Sequence, residues 1–429
     1  MLTARENEML ARVGAGSPMG DYLRDHWTPA VRAAALEADG RPARVRLFGK
    51  NFVAFRATDG RVGFLDEECP HRCVSLALAR NEGNGLRCLF HGWKIDVAGT
   101  LVDVPSEPPE RQEAFAANIT VNHYPTREAG GLIWVYLGAR ATPPAFVDFE
   151  FTGLPESHID IRRAILRCNW LQGFEGTLDT VHAGILHVGW MGDPAQRWQG
   201  AEGAALHVLS RKVPSAAIEF EPRAYGFREG ALRPMPDGSL YVRIRDVALP
   251  YYSFIPTPGG AACFVTIVVP IDDETHAQWY VLYDPAKPIG ADIRDRMMAN
   301  SSGDRDDFAA DLGGFHNMWG QDRALMKQGH WSGIGLGRPL PFEDFAVQEA
   351  MGPIMDRTRE QLGSSDVTIV RTRRLLLDAA RRHAQGAPSA AASHAAIRSI
   401  AIRLPAGADW RHVDTMKPPA SLPDAAAAE

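Results

Sequence analysis

The chain has 429 residues, of which 45% are hydrophobic and 23% charged, and its formal net charge is −6. These values are typical of a globular protein and exclude a disordered, collagen-like or coiled-coil chain. The slightly acidic balance also excludes the basic surface of a nucleic-acid-binding protein, so no nucleic-acid partner is expected.

The N-terminal residues and the cysteines indicate where the protein works. The first ten residues, MLTARENEML, contain charged side chains and no apolar signal core, so no secretory signal is predicted. No stretch of about 18 apolar residues occurs, which excludes a transmembrane helix and a membrane partner. Five cysteines are too few for a disulfide framework in a chain of this length. We therefore expect a cytoplasmic protein with reduced thiols.

The patterning divides the chain into four parts. Residues 1–40 contain two short helical patterns, and residues 41–150 alternate apolar and polar side chains between turn signals, which is typical of antiparallel strands. Residues 151–385 mix strands with helices, and residues 386–429 are predicted as a low-complexity extension. The expected fold class is α+β, with the N-terminal helices packed on the larger second domain.

Two short pairs of possible metal ligands lie in the first domain. Cys69 and His71 form a C-x-H pair, and Cys88 and His91 form a C-x-x-H pair sixteen residues further on. Two thiolates and two imidazoles can hold a zinc ion tetrahedrally. They can also hold a Rieske [2Fe–2S] cluster, in which the thiolates bind one iron and the imidazoles the other. The C-x-H and C-x-x-H pairing favours the Rieske interpretation over structural zinc.

This stretch, CPHR followed by CLFHGW, resembles the Rieske domain of ring-hydroxylating oxygenases. Rieske proteins of respiratory complexes carry an additional disulfide between the two loops. Here Phe90 occupies the position of one partner and Cys73 is offset from the other. No disulfide is therefore expected, and Cys73 is predicted to be a small packing residue.

A second group of possible ligands follows in NWLQGFEGTLDTVHAGILH, which is predicted as a helix. Asp179 and His182 are three residues apart and would share a helix face. His187 follows five residues after His182, a spacing that misaligns the two rings on a regular helix. Two histidines and a distant carboxylate form the facial triad of non-haem Fe(II) oxygenases, whose open positions accept dioxygen. The alternative is a helix with ordinary polar side chains.

The stretch from Asn169 to His187 is similar to the mononuclear iron motif of Rieske non-haem iron oxygenase α-subunits. The resemblance extends over most of the chain. The segments PSEPPE, NHYPTREAGGLIWVYLG and FEDFAVQEAMGPIMDRTRE look most like the phthalate 4,5-dioxygenase branch. It implies a β Rieske domain followed by a helix-grip catalytic domain, in which an antiparallel sheet wraps a long helix.

The resemblance also implies roles for individual residues. His182 and His187 look like ligands of the mononuclear iron, and Asp344 best matches the position of the carboxylate ligand, with Glu343 and Asp356 as competitors. Asp179 looks like an aspartate that bridges His182 to a Rieske histidine of the next subunit. That bridge implies a homotrimer, alone or stacked into a hexamer.

A substrate site is harder to predict. Tyr241, Arg243 and Arg245 lie on one face of a predicted strand. The face is either solvated or it holds a carboxylate through the planar fork of an arginine. Arg245 is the residue we predict to bind a substrate carboxylate. Thr180, next to Asp179, is a candidate for lining the pocket.

The predicted function is that of a terminal oxygenase that hydroxylates or dihydroxylates a carboxylated aromatic compound with O2. Since no dinucleotide-binding fingerprint is present, electrons are expected from NAD(P)H through a separate reductase, with or without a ferredoxin. The expected cofactors are a [2Fe–2S] cluster and a mononuclear Fe(II). The alternatives are an O-demethylase of methoxylated aromatic acids, a Rieske electron carrier and a zinc-stabilised binding protein.

Overall fold

The computed structural model describes residues 2–188, 213, 215–258, 261–335, 337–389 and 397–420. The chain begins with two short helices, α1 (Ala4–Ala11) and α2 (Pro18–Arg24). Thr3 and Glu6 form a capping box at the start of α1, which satisfies N–H groups that have no partner inside the helix. α2 begins with the N-cap Ser17 and a proline in its first turn, both favourable at that position.

The first domain consists of three small antiparallel sheets. The sheets have the strand orders β1-β10-β9, β2-β3-β4 and β5-β6-β7-β8. Their strands are β1 (Thr28–Arg32), β2 (Ala43–Leu47), β3 (Lys50–Arg56), β4 (Val62–Asp66), β5 (Arg80–Glu82), β6 (Gly85–Arg87), β7 (Lys94–Asp96), β8 (Leu101–Asp103), β9 (Thr126–Ala129) and β10 (Leu132–Val135). The loops that follow β4 and β6 carry the two predicted ligand pairs.

The second domain contains a nine-stranded sheet in the order β11-β18-β17-β15-β14-β13-β12, with β19 beside β14 and β16. Its strands are β11 (Ile159–Leu166), β12 (Ala217–Arg223), β13 (Gly226–Pro234), β14 (Leu240–Ala248), β15 (Tyr252–Ile255), β16 (Thr257–Pro258), β17 (Cys263–Pro270), β18 (His276–Tyr283) and β19 (Ile400–Leu404). Neighbouring strands are antiparallel except β16 and β19. β18 is buried along its whole length, which indicates a sheet that is covered on both faces.

Six further helices lie in the described residues. They are α3 (Pro109–Ala116), which belongs to the first domain, and α4 (Trp170–Leu178), α5 (Ala291–Met298), α6 (Arg323–Lys327), α7 (Pro341–Ala350) and α8 (Val367–Ala384). α4 packs on β15, β17 and β18, and α7 packs on α4. α8, the longest helix described, contacts α1, α2 and α4. The predicted α+β architecture with an antiparallel sheet around helices is confirmed.

Asn169 and Trp170 have structural roles at the start of α4. Asn169 caps the helix and donates to the carbonyl of Ala11 at 2.9 Å, while the Trp170 indole donates to the carbonyl of Leu10 at 3.1 Å. These bonds attach the N-terminal helix α1 to the helix that leads into the second group of predicted ligands.

Three local predictions differ from the structure. Strand β1 lies inside the segment 1–40 that was predicted as helical, because Thr28–Arg32 pairs with β10. The predicted extension 386–429 contains β19, whose pairing with β14 places it in the central sheet. The predicted helix over Asn169–His187 ends at Leu178. The limits at residues 40, 150 and 385 otherwise stay predictions.

In the part of the chain that the structure describes, none of the helices combines the length and the apolar character needed to cross a bilayer.

Candidate metal centres

The four residues of the first predicted ligand set lie on two loops with similar backbone turns. The N–H of Cys73 donates to the carbonyl of Cys69 at 2.9 Å, and the N–H of Gly92 donates to the carbonyl of Cys88 at 3.0 Å. Each turn therefore begins at a cysteine and passes through the histidine of its pair. Both cysteines are buried, whereas the two histidines are half-buried.

The ring atoms of the two histidines fit a metal cluster. The imidazole centroids of His71 and His91 are 4.3 Å apart, and His71 stacks on Trp93 at 4.5 Å. Nδ1 of His91 is buried and has no hydrogen-bond partner within the described residues. A buried ring nitrogen without a partner is costly unless something else binds it. A metal ion that binds this nitrogen would remove the cost.

The thiol of Cys69 has the environment of a sulfur ligand. Burial raises the pKa of Cys69 to about 11, and the neighbouring Cys88 adds to the rise, while the backbone N–H groups of His71 and Arg72 lower it. A bound metal cation would stabilise this sulfur as a thiolate, the form that binds metals. Two adjacent buried sulfurs and two adjacent imidazoles together match the donor set of a Rieske cluster.

Cys73 does not have its predicted role. All five cysteines are free, so no disulfide forms, as expected. Cys73 is exposed, however, and its φ is +57°. The prediction of a packing residue was wrong because the tight turn between Cys69 and Val74 directs this side chain away from the core.

The second predicted ligand set is brought together from two distant segments. One potential donor atom from each of His182, His187 and Asp344 lies within 4.8 Å of the others. Asp344 Oδ1 is 3.4 Å from Nε2 of His182 and 3.2 Å from Nε2 of His187. Both histidines therefore direct their Nε2 atoms towards the carboxylate of Asp344. In such an arrangement a metal cation can bind to all three groups in place of a proton.

The end of α4 explains how the two histidines converge. Asp179 Oδ1 accepts from the backbone N–H groups of Val181 at 2.7 Å and His182 at 3.3 Å. Such side-chain bonds compete with the helical pattern, so the helix stops and a short 3-10 turn, His182–Gly184, follows. The turn places the rings of His182 and His187 5.2 Å apart and nearly perpendicular. A continued helix would not align them.

Each imidazole has a second carboxylate behind it. Nδ1 of His182 lies 3.6 Å from Asp179 Oδ2, and Nδ1 of His187 donates to Glu343 Oε2 at 2.7 Å. Burial alone would lower the pKa of His187, but the charges of Asp344 and Glu343 raise it to about 9. Burial alone would raise the pKa of Asp179, but the neighbouring imidazole of His182 and the backbone N–H groups of Val181 and His182 lower it to about 2. The centre is thus a set of paired acidic and basic side chains.

The two other candidates for the carboxylate ligand, Glu343 and Asp356, have different partners in the structure. Glu343 is buried and faces the outer nitrogen of His187, and Asp356 is exposed and accepts from the hydroxyl of Thr358. Glu175, whose role the sequence left open, lies in a buried ion-pair network with Arg357 and Arg373. It connects α4 to α8.

The strand face that includes Arg245 is buried and not solvated. Both Nη atoms of Arg245 are bound inside the chain, one to the carbonyl of Thr177 at 2.6 Å and the other to Glu229 at 3.2 Å. Burial lowers the pKa of Arg245, and the charge of Glu229 opposes this. The assignment of Arg245 to a substrate carboxylate stays a prediction. In the structure the residue ties β14 to β13 and α4.

Two neighbouring arginines on this face have donor atoms without partners among the described residues. Register places Arg243 opposite Ala231, and Arg233 opposite Tyr241. Arg233 donates to the carbonyl of Thr180 at 3.1 Å, directly beside Asp179. Arg233 Nη1, Arg243 Nε and Thr180 Oγ1 are buried and have no partner in the described ranges. Burial and the charge of Arg243 lower the pKa of Arg233 to about 10.

The sequence analysis missed the roles of three residues near this centre. Glu343 was considered only as a competing ligand, and Ser332, which donates to it, was not considered. A carboxylate directly before the candidate ligand Asp344 was the available signal. Arg233 was missed because its strand is separate from that of Arg243 in the sequence, and only the strand register places them together.

Comparison with family models divides the chain into two matches. Residues 26–125 match the Rieske [2Fe-2S] domain, and residues 135–427 match the LigXa C-terminal domain like family. The first match contains both cysteine–histidine loops, and the second contains His182, His187 and Asp344.

Curated relatives and solved structures agree with this division. The chain is 41% identical to the phthalate 4,5-dioxygenase oxygenase subunit of Pseudomonas putida, over 88% of this chain and 86% of the relative. It is 30% identical to the 5,5'-dehydrodivanillate O-demethylase oxygenase subunit of Sphingobium, over 88% and 80% of the two chains. The terminal oxygenase of carbazole 1,9a-dioxygenase from Nocardioides aromaticivorans shares its fold, with a TM-score of 0.55 at 20% identity over 88% and 97% of the two chains.

Proposed function

The chain belongs to the Rieske non-haem iron oxygenases, and from this we propose that it hydroxylates or dihydroxylates a carboxylated aromatic compound. As an oxygenase component it carries a Rieske [2Fe–2S] cluster and a mononuclear iron, and it receives electrons from separate reductase or ferredoxin components. The catalytic-domain match over residues 135–427 excludes a simple electron carrier.

The residues proposed to hold the two metal groups come from the geometry above. Cys69 and Cys88 would bind one iron of the cluster, and His71 and His91 the other. This assignment is supported by the buried, unpartnered Nδ1 of His91. His182, His187 and Asp344 would bind the mononuclear iron, since their donor atoms lie within 4.8 Å of one another.

When bound, the cluster supplies single electrons and the mononuclear iron activates dioxygen. The residues of the chain orient and insulate these groups. The N–H groups of His71 and Arg72 face the Cys69 sulfur and stabilise its negative charge. Asp344 and the two histidines would hold the iron as a facial set of three ligands, which would leave its other positions for dioxygen and substrate. We propose that the sheet face that contains Arg233 and Arg243 forms one wall of the substrate pocket.

The proposal of a carboxylated substrate is supported by the excess of positive charge on this face of β13 and β14. Three arginines lie there, and Glu229 is the only acidic side chain on this face of β13 and β14, which are described throughout. Buried cations with free donors are unfavourable unless an anion pairs with them. A carboxylate between Arg233 and Arg243 would use the free Nη1 and Nε atoms and would lie close to Thr180, one residue from Asp179.

Oxygen uptake with a series of aromatic acids tests the proposed function. The purified protein is combined with a reductase and NADH, which we propose as the electron source, and supplied with phthalates, benzoates and methoxybenzoates. Hydroxylated products with oxygen from labelled O2 support the proposal. Formaldehyde from methoxylated acids favours the O-demethylase alternative, the activity named for the Sphingobium relative. Coupled uptake with uncharged aromatics alone contradicts the carboxylate assignment.

Arg243→Gln should raise the KM for the carboxylated substrate by about 10- to 100-fold, the value of a charged hydrogen bond of about 1.5–3 kcal/mol. The melting temperature should not fall, because the substitution removes one charge from a crowded set of arginines. Steady-state kinetics with the acid and its methyl ester measure the effect. Arg411→Gln, a substitution at an exposed arginine of the same domain, is the matched control. An equal loss with acid and ester would contradict carboxylate recognition by Arg243.

We also propose a head-to-tail homotrimer, in which Asp179 connects to the partner subunit's His91. The side chain of Asp179 is 29% exposed at the edge of its centre. Exposed apolar side chains lie beside both centres: Leu89 and Phe90 in the loop of His91, and Ile185 and Met351 near His187 and α7. Two such surfaces in one chain can cover each other in a closed ring.

Light scattering should therefore find a trimer, or a hexamer if two trimers stack. Met351→Glu should give monomers that keep the visible spectrum of the cluster but lose coupled turnover, because each chain then lacks its neighbour's electron donor. Leu89→Glu tests the opposite surface in the same way. Monomers with undiminished turnover would show that electrons pass within one chain. Separately, we propose from the sequence that the protein is cytoplasmic.

A further inference from the structure

We propose that Glu343, supported by Ser332, is a positioning residue that fixes His187 for iron binding and balances the charge of the centre. This inference rests on the proposed assignment of His182, His187 and Asp344 to the mononuclear iron. Glu343 lies at Nδ1 of His187 and is not among the three residues whose donor atoms lie within 4.8 Å of one another.

One imidazole is held at both nitrogens by two consecutive residues of one helix. Nδ1 of His187 donates to Glu343 at 2.7 Å, and Nε2 faces Asp344 at 3.2 Å. Consecutive helix positions point about 100° apart, so α7 can place one carboxylate on each side of the ring. The bond to Glu343 fixes the proton on Nδ1, which leaves the Nε2 lone pair free for a metal.

Both carboxylates lie near the N-terminal end of α7. Glu343 and Asp344 both lie in the first turn of the helix, where the helix dipole stabilises negative charge. Fe(II) with Asp344 and two neutral imidazoles has a net charge of +1, and a buried site of that charge is unfavourable. The buried carboxylate of Glu343 makes the set neutral.

Ser332 holds Glu343 from the other side. Its hydroxyl donates to Oε1 of Glu343, while Oε2 accepts from His187. All three side chains are more than nine-tenths buried, so water does not compete for these bonds. The backbone N–H of Ile334 donates to Ser332 Oγ at 3.1 Å, which orients the hydroxyl towards the carboxylate.

The two histidines differ in this respect. His182 is 25% exposed, and its Nδ1 lies 3.6 Å from Asp179, outside hydrogen-bond distance. His187 has a short bond to a fully enclosed carboxylate. We therefore infer that His187, fixed by Glu343, is the more rigidly oriented of the two histidine ligands. The orientation of His182 depends on the more exposed Asp179.

Competition with a coloured Fe(II) chelator tests this assignment on the intact protein. Glu343→Gln should weaken Fe(II) binding about 10- to 100-fold, the usual cost of losing a hydrogen-bonding carboxylate behind a metal ligand. Ser332→Ala should weaken it less. The double variant should bind no more weakly than Glu343→Gln, because Ser332 acts through Glu343. The electron paramagnetic resonance signal of the ferrous site after addition of nitric oxide should change in the same order.

Glu349→Gln is the matched control. Glu349 is a buried glutamate of the same helix that is paired with Arg167 and Trp319 and not with a histidine. Its substitution should leave Fe(II) affinity unchanged even if the melting temperature falls. The visible spectrum of the Rieske cluster reports whether each variant is folded.

The outcomes separate this inference from the proposed function. Wild-type affinity and an unchanged signal in Glu343→Gln overturn the positioning role. Additive losses from Ser332→Ala and Glu343→Gln overturn the link between them. If Asp344→Asn binds Fe(II) like the wild type and Glu343→Gln binds none, Glu343 is itself the ligand and the inference is wrong. If the wild-type protein binds no iron beyond the cluster, the proposed ligand set fails instead.

Discussion

Asp344→Asn is expected to lose the mononuclear iron and to reduce coupled hydroxylation by more than about 100-fold, since even the loss of an outer hydrogen-bond partner costs about 10- to 100-fold. The amide keeps the volume of the side chain but has no charge to oppose a cation between His182 and His187. Iron analysis should fall from about three to about two atoms per chain. The spectrum of the cluster should not change, because its loops lie in the other domain.

Asp356→Asn provides the control for that experiment. Asp356 was a competing carboxylate in the sequence, but it is exposed and accepts from the backbone N–H and the hydroxyl of Thr358. Its substitution should preserve iron and activity. Loss of iron in Asp356→Asn together with its retention in Asp344→Asn would reverse the assignment of the third ligand.

Asp179→Asn is expected to keep both metal groups and to slow electron transfer from the reduced cluster by about 100-fold, the upper end for residues that hydrogen-bond a ligand. Asparagine keeps an oxygen for the N–H groups of Val181 and His182. It replaces the second carboxylate oxygen with an amide, which does not accept from an imidazole N–H. The proposed connection between the two centres is therefore broken while the local turn remains.

Single-turnover measurement of the pre-reduced protein with substrate and O2 gives this rate directly. The matched control is Asp272→Asn, because Asp272 also accepts from the N–H groups two and three residues ahead, Glu274 at 3.1 Å and Thr275 at 2.9 Å. That variant should transfer electrons like the wild type. An unchanged rate in Asp179→Asn would falsify the bridging role, and loss of iron would mean that Asp179 mainly holds His182.

Short-range features of both centres were predictable from the residues. The first ligand set lies in two tight loops, which contain Cys69 and His71 in one and Cys88 and His91 in the other. The spacing within each loop determines whether its cysteine and histidine can bind the same metal cluster. The same holds for His182 and His187, whose spacing excludes a shared face of a regular helix. The structure adds the reason, which is that Asp179 ends α4 through bonds to the backbone.

Features that depend on pairing between distant strands were not predictable in this way. The free donors of Arg233 and Arg243 arise from the register of β13 and β14. The prediction of Arg245 selected the strand face that also contains Arg243, but the structure gives Arg245 partners within the chain, Glu229 and Thr177. Similarly, a segment that was predicted as an extension contributes β19, since its place in the sheet depends on β14 and not on its own composition.

The residue types and their local spacing were sufficient to identify the metal-binding chemistry, the family and the α+β architecture, because ligand geometry within a loop depends on a few neighbouring dihedral angles. Only the tertiary structure distinguishes the positions of Glu343 and Asp344, which are adjacent in the chain and equally able to bind a cation. The packing of α7 on α4 places one carboxylate at the inner nitrogen of His187 and the other at its outer nitrogen. That distinction depends on helix packing, which local sequence patterns do not predict.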